Sequence, residues 1–157
     1  MSLESLERAK KQIQDFKDNY KKGVNDAIKY ATEAMYNKVL EYCYDNNILN
    51  HVGAIEWEYD ANKNIGRVWT NDWVIIFNEM GTGIVGKQNP HPRKEGWQYD
   101  VNAHGEEGWV YPKTDGTFGW TKGLPSRRMF YKAFESIKSE IGDYVDVEIC
   151  KNVGNMY

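Results

Sequence analysis

A chain of 157 residues that is 41% hydrophobic can bury one core but not two independent ones, so a single domain spanning 1–157 is expected. A net charge of −3 argues against a protein whose main work is to wrap nucleic acid, and the longest apolar runs, such as Trp73 to Phe77, fall far short of the ~20 residues of a membrane-spanning helix. The N-terminus carries Glu and Lys in place of a signal-peptide core, which points to a protein made and used in a cytosol, and six tryptophans and eleven tyrosines supply ring surface for contacts as well as cores.

Residues 1–47 read as helical, with Leu3, Leu6, Ile13, Phe16, Tyr20, Val24, Ala27 and Ile28 opening a stripe spaced by threes and fours. At 1.5 Å per residue such a helix would be about 65 Å long, more than a body of this size covers, so part of it must project or break. Gly23, after Lys21 and Lys22, is the expected break. Two readings follow: two ordinary amphipathic helices, or a first segment that docks on a neighbouring subunit through Leu6, Ile13, Phe16 and Tyr20. Asp45, Asn46 and Asn47 end the helical region.

Residues 54–121 are expected to hold two hairpins, a short helix and a long loop. Ala54 to Tyr59 alternates, with Ile55, Trp57 and Tyr59 on one face, and turn residues lead from it into a partner strand at Arg67 to Thr70. Trp73, Ile76, Phe77 and Met80 then recur at helical spacing behind Asn71 and Asp72, with Gly81 as terminator; a buried strand is the competing assignment because Ile75 and Ile76 are β-branched. Gly81, Thr82 and Gly83 permit a tight turn or close approach of another chain, and lack the Lys and Ser/Thr of a phosphate loop. Lys87 to Gly108 reads as a long loop, a candidate functional arm. Trp109 to Tyr111 and Thr117 to Thr121 flank Asp115-Gly116 and predict a second hairpin. Leu124-Pro125-Ser126 opens a helix over 124–141 that Gly142 stops, and alternating Val145, Val147 and Ile149 suggest a last strand over 144–150.

Catalytic chemistry finds little support. His51, His91 and His104 have no metal-ligand spacing and read as surface or loop residues, so no metal, cofactor or catalytic group is assigned. Glu106 and Glu107 beside Trp109 read as solvated, not as a glycosidase pair. Cys43 and Cys150 lack paired spacing and read as reduced and structural. The competing function is a binding module in which Trp97, Tyr99, Trp109, Tyr111 and Trp120 form a platform for a glycan or peptide, against which Trp109 and Tyr111 read equally as core.

Three segments resemble the tail-component family of long-tailed bacteriophages, small proteins that complete the tail or join it to the head. Trp73 to Ile84 is similar to that family's apolar turn, Glu, then Gly-Thr-Gly; Gly116 to Gly123 resembles its strand ending in Thr-Lys-Gly; Pro125 to Ala133 resembles its Pro, bulky apolar, then Ala helix. The sequence departs from the pattern at Asn47 to Gly53. The resemblance implies an α+β fold, with helices on an antiparallel sheet of about four to five strands. It also implies a structural virion protein, assembled in the host bacterial cytoplasm, that forms a ring with copies of itself, by itself or on a neighbouring neck or tail-tube protein. Such a ring passes DNA without gripping it and needs no membrane. Candidate subunit-contact residues are Leu6, Ile13, Phe16, Tyr20, Glu79, Gly81, Thr82, Gly83, Ile84, Trp97 and Tyr99.

Overall fold

The computed structural model describes residues 2–100, 103–104, 107–113 and 115–154. The fold is α+β. Helix α1 spans Leu3–Asp45, a short 3-10 turn Leu49–Ala54 follows, then strands β1 (Ile55–Asp60) and β2 (Ile65–Thr70), helices α2 (Trp73–Met80) and α3 (Gly83–Gln88), strands β3 (Trp109–Pro112), β4 (Phe118–Thr121) and β5 (Gly123–Leu124), and helix α4 (Met129–Gly154). Among the described residues the strands form two separate two-stranded sheets, β1-β2 and β3-β4, and β5 makes only bridges to Thr82 and Gly83. That is fewer strands than the expected single sheet of four to five.

The chain divides into two compact units, one built from Met1–Asn37, Trp57–Val68 and Glu135–Tyr157, the other from Lys38–Glu56 and Trp69–Phe134. In the first unit Gly23 does not break α1, which runs uninterrupted for 43 residues. Its missing side chain lets the α4 backbone approach: a Cβ there would lie 2.8 Å from Ile149 Cα. Gly23, Ala27 and Ala31, all buried and four residues apart, form a small-residue stripe on one face of α1, and α4 crosses it at Gly23. The local cost of a helical glycine, about 1 kcal/mol relative to Ala, is offset by that close packing. Tyr30 meets Tyr144 edge to face at 4.9 Å, and Asn152 reaches Asp26. Thr32 sits beneath Gly66 of β2, and Tyr36 faces Trp57 of β1, so the first hairpin packs on α1 as well.

The expected terminal strand is helix: α4 continues through Gly142 for 26 residues. Valines alternating with acids suit a strand locally, yet Tyr144, Val145, Glu148, Ile149, Asn152 and Val153 turn inward at helical spacing while Val147 faces out. Tertiary packing on the Gly23 stripe decides between the two. The expected helix start at Leu124 is also displaced, since Leu124 lies in β5 and α4 begins at Met129.

In the second unit α1 closes with a Schellman motif: Asn47 adopts φ 58°, its N–H donates to Tyr44 O, and the N–H of Ile48 donates to Cys43 O. Val39, Cys43, Ile48, Ile55, Ile75, Met129 and Ala133 are buried, with Cys43 Sγ 3.7 Å from Met129 Sδ. Helix α2 forms as expected. Asp72 caps it by accepting from the N–H of Val74 (2.7 Å) and Ile75 (3.4 Å), and its other oxygen bonds His51 Nδ1 at 2.8 Å. Burial alone would raise the Asp72 carboxyl, but His51 and the two amides hold it below the ordinary carboxylate range.

Candidate interaction surfaces

Two kinds of region bear on contact between chains, and they are built in opposite ways. The first is the glycine turn after α2. Gly81 (φ 81°) and Gly83 (φ 61°) bend the backbone so that Thr82 and Gly83 bridge Leu124 and Gly123. A Cβ at Gly83 would stand 2.2 Å from Lys122 O, and one at Gly123 (φ 111°) 1.9 Å from Thr82 O. The close approach that these glycines allow is therefore made within the chain. Gly81, Thr82, Gly83 and Gly86 are buried, and Ile84 is half-buried.

Glu79 closes this arrangement. Its Oε2 accepts the N–H of Phe130 (2.8 Å), and its Oε1 accepts the N–H of Tyr131 (3.0 Å), so a side chain from α2 satisfies the first turn of α4. The residue just before α4, Arg128, has φ 59° and supplies no acceptor of its own. His91 Nδ1 lies 3.0 Å from Arg93 N and 3.1 Å from Arg93 O, and Nε2, 3.0 Å from Glu79 Oε1, donates to that acceptor oxygen. Ser126 Oγ donates to Glu79 O, Arg128 donates to Pro90 O, and Arg127 donates to Asn46 Oδ1. His91 lies in a loop, as expected, but is buried there, only 5% exposed. The flanking Pro90 and Pro92, which fix the backbone on either side, were the available sequence signal.

The loop after α3 folds onto the same turn. Trp97 Nε1 donates to Gly81 O at 2.9 Å, the N–H of Gly83 donates to Tyr99 O, and the Tyr99 hydroxyl accepts the N–H of His91. Trp73, Phe77 and Trp97 form an aromatic row along an open groove of about 460 Å³ completed by Gly96 and Gln98.

The second kind of region is uncovered apolar surface. In the β3-β4 hairpin Val110 pairs with Trp120 and Pro112 with Phe118. Those four share one face, and Val110, Phe118 and Trp120 are exposed. Trp109 and Tyr111 lie on the opposite face, where Tyr111 covers Gly119 and Trp109 stacks on His104. With Trp97 and Tyr99 on the glycine turn, the five rings proposed as a platform do not share one surface. In α1, Leu6, Ile13, Phe16 and Tyr20 are each 45–57% exposed, and Phe16 stacks on Tyr20.

No group of three or more metal-ligating side chains occurs among the described residues. Of the acidic pair, Glu106 lies outside the described residues and Glu107 is exposed. Cys43 is buried, and desolvation, then the charge of Glu79, pushes its thiol up to about 11; Cys150 is exposed and free. Among the described residues no helix is long and apolar enough to cross a membrane. Comparison of the chain with family models, curated proteins and solved structures gives no match.

Proposed function

We propose that this protein is a structural component of a tailed phage or prophage particle, completing the tail or joining tail to head by ring-like association with copies of itself. One observation carries the reading. The three segments on which the family resemblance rests meet in one unit: Thr82 and Gly83 bridge Gly123 and Leu124, and Glu79 caps the helix that follows Pro125. In this chain the three segments form one interlocking device. Apolar residues left exposed in α1 and in the β3-β4 hairpin supply contact surface for neighbours.

In this reading the glycine turn is a fastening within each copy, and contacts between copies fall to exposed residues. Leu6, Ile13, Phe16 and Tyr20 remain the contact candidates, while Glu79, Gly81, Thr82, Gly83 and Tyr99 hold the glycine turn together within its own unit. The partners are further copies and a neck or tail-tube protein, with DNA only passing through the lumen, and assembly takes place in the host cytoplasm. Native mass spectrometry and negative-stain microscopy of the purified chain, with and without tail tubes, test this. Closed rings, or a chain that binds tube ends, are expected; a strict monomer that ignores tubes overturns the reading. If such a monomer instead binds a glycan array, the binding-module reading takes its place.

A further inference from the structure

The exposed apolar residues of the leading helix are arranged as a coiled-coil seam. Leu6, Ala9, Ile13, Phe16 and Tyr20 follow one another at intervals of three, four, three and four, the a and d positions of a heptad repeat. No charged residue interrupts them. Glu4, Glu7, Arg8, Lys11, Asp15 and Asp18 all occupy b, c or f positions, on the side away from that seam. The bulky members of the seam remain about half exposed: Leu6 45%, Ile13 57%, Phe16 49% and Tyr20 47%. Since α1 continues without interruption to Asp45, the seam is already helical, and a partner helix need not supply the cost of nucleation that makes short isolated coils unstable.

The flanks say what the partner is. The e positions between Leu6 and Tyr20 hold Lys10 and Lys17, while the g positions hold Ser5, Gln12 and Asn19. In a parallel pair each g residue faces the e residue of the next heptad on the other helix, so Ser5 meets Lys10 and Gln12 meets Lys17, with no like charges apposed. An antiparallel pair centred on Ile13 would set Lys10 against Lys17 of the second copy. We infer that residues Leu6 to Tyr20 form an in-register, parallel coiled-coil contact with the same segment of a second copy of this chain. The inference rests on the self-association proposed above and names one of its contacts. An in-register contact uses the same patch on both copies and closes on a two-fold axis, so further copies of a ring would join through other surfaces.

The test uses the full chain with Cys150→Ser, which removes the exposed thiol, and adds Ile13→Cys at an a position or, as a control, Glu7→Cys on the outer face. In-register parallel helices bring the two a-position Cα atoms within disulfide reach. Mild oxidation is expected to give covalent dimers of the Ile13→Cys protein and none of the Glu7→Cys protein, and Phe16→Asp is expected to weaken association by roughly tenfold or more. Equal cross-linking of both variants, or of neither, overturns the inference. Rings that persist by native mass spectrometry with no cross-link through Ile13→Cys would sink this contact and leave the ring reading standing. A specific cross-link in a chain that never passes beyond the dimer would keep the contact and end the ring reading.

Discussion

The glycine turn after α2 and the leading segment of α1 are both departures from ordinary amphipathic sequence, and they use their departures differently. At the turn, every special residue is consumed locally: Gly83 and Gly123 let two backbones meet, Glu79 satisfies a helix start, and Trp97 and Tyr99 bind the turn's main chain. Along Leu6 to Tyr20 the apolar residues are held out, each about half exposed. The contrast shows that sequence features which relax steric limits and those which offer binding surface need not coincide. A glycine reports that something comes close, without saying whether it belongs to the same chain.

The largest effects are expected at the turn. Gly123→Ala places a Cβ 1.9 Å from Thr82 O at φ 111°, and a loss of about 4 kcal/mol or more, seen as insoluble protein or a collapsed melting temperature, is expected. Glu79→Ala leaves the amides of Phe130 and Tyr131 and the Nε2 proton of His91 without an acceptor, for a loss of about 3 kcal/mol in denaturant titration. Glu79→Gln should cost less, because one acceptor oxygen survives. If either change left stability untouched while abolishing association, the turn would be a subunit contact after all.

A smaller effect concerns pH. The Cys43 thiol, raised from 9.0 to about 11, stays protonated in the folded chain where the unfolded chain has already ionised. Its contribution is complete below pH 9 and is lost as pH climbs to about 11, amounting to up to about 2 kcal/mol. Urea titrations at the two ends of that range, with Cys43→Val as the variant that lacks this component, measure it. Gly23→Ala should destabilise by about 1 kcal/mol despite the better helix propensity of alanine, because the added carbon meets Ile149 Cα at 2.8 Å. Phe16→Ser closes the series. In dilute protein its unfolding free energy should change by no more than about 0.5 kcal/mol, as for an uncovered surface residue, while association at high concentration by light scattering falls. A large loss of stability in dilute solution would mean that the leading segment packs within its own chain.

Much of the fold was legible where one local signal dominated. Asp72 and Gly81 bracket α2, Asn47 ends α1, and Asp115-Gly116 joins β3 to β4 because capping and turn chemistry act over a few residues. Val145 to Ile149 misled because its alternation satisfies a strand while the face that matters is chosen by the Gly23 stripe, far away in sequence. Of the contact candidates, Leu6, Ile13, Phe16 and Tyr20 could be read as one apolar stripe from spacing, and that stripe is exposed. The inward packing of Glu79, Gly81, Thr82 and Gly83 could not, since their partners lie 12 to 52 residues further along the chain.

The amino-acid order by itself determined the helical character of the first 45 residues, the two hairpins and the apolar seam of the leading helix. Only tertiary structure decided that Gly23 admits a neighbouring helix instead of ending one, that α4 runs on through Gly142, and that the glycine turn faces inward. Periodicity and capping are short-range properties written in adjacent residues. Which backbone comes to lie against a missing side chain depends on how distant segments meet.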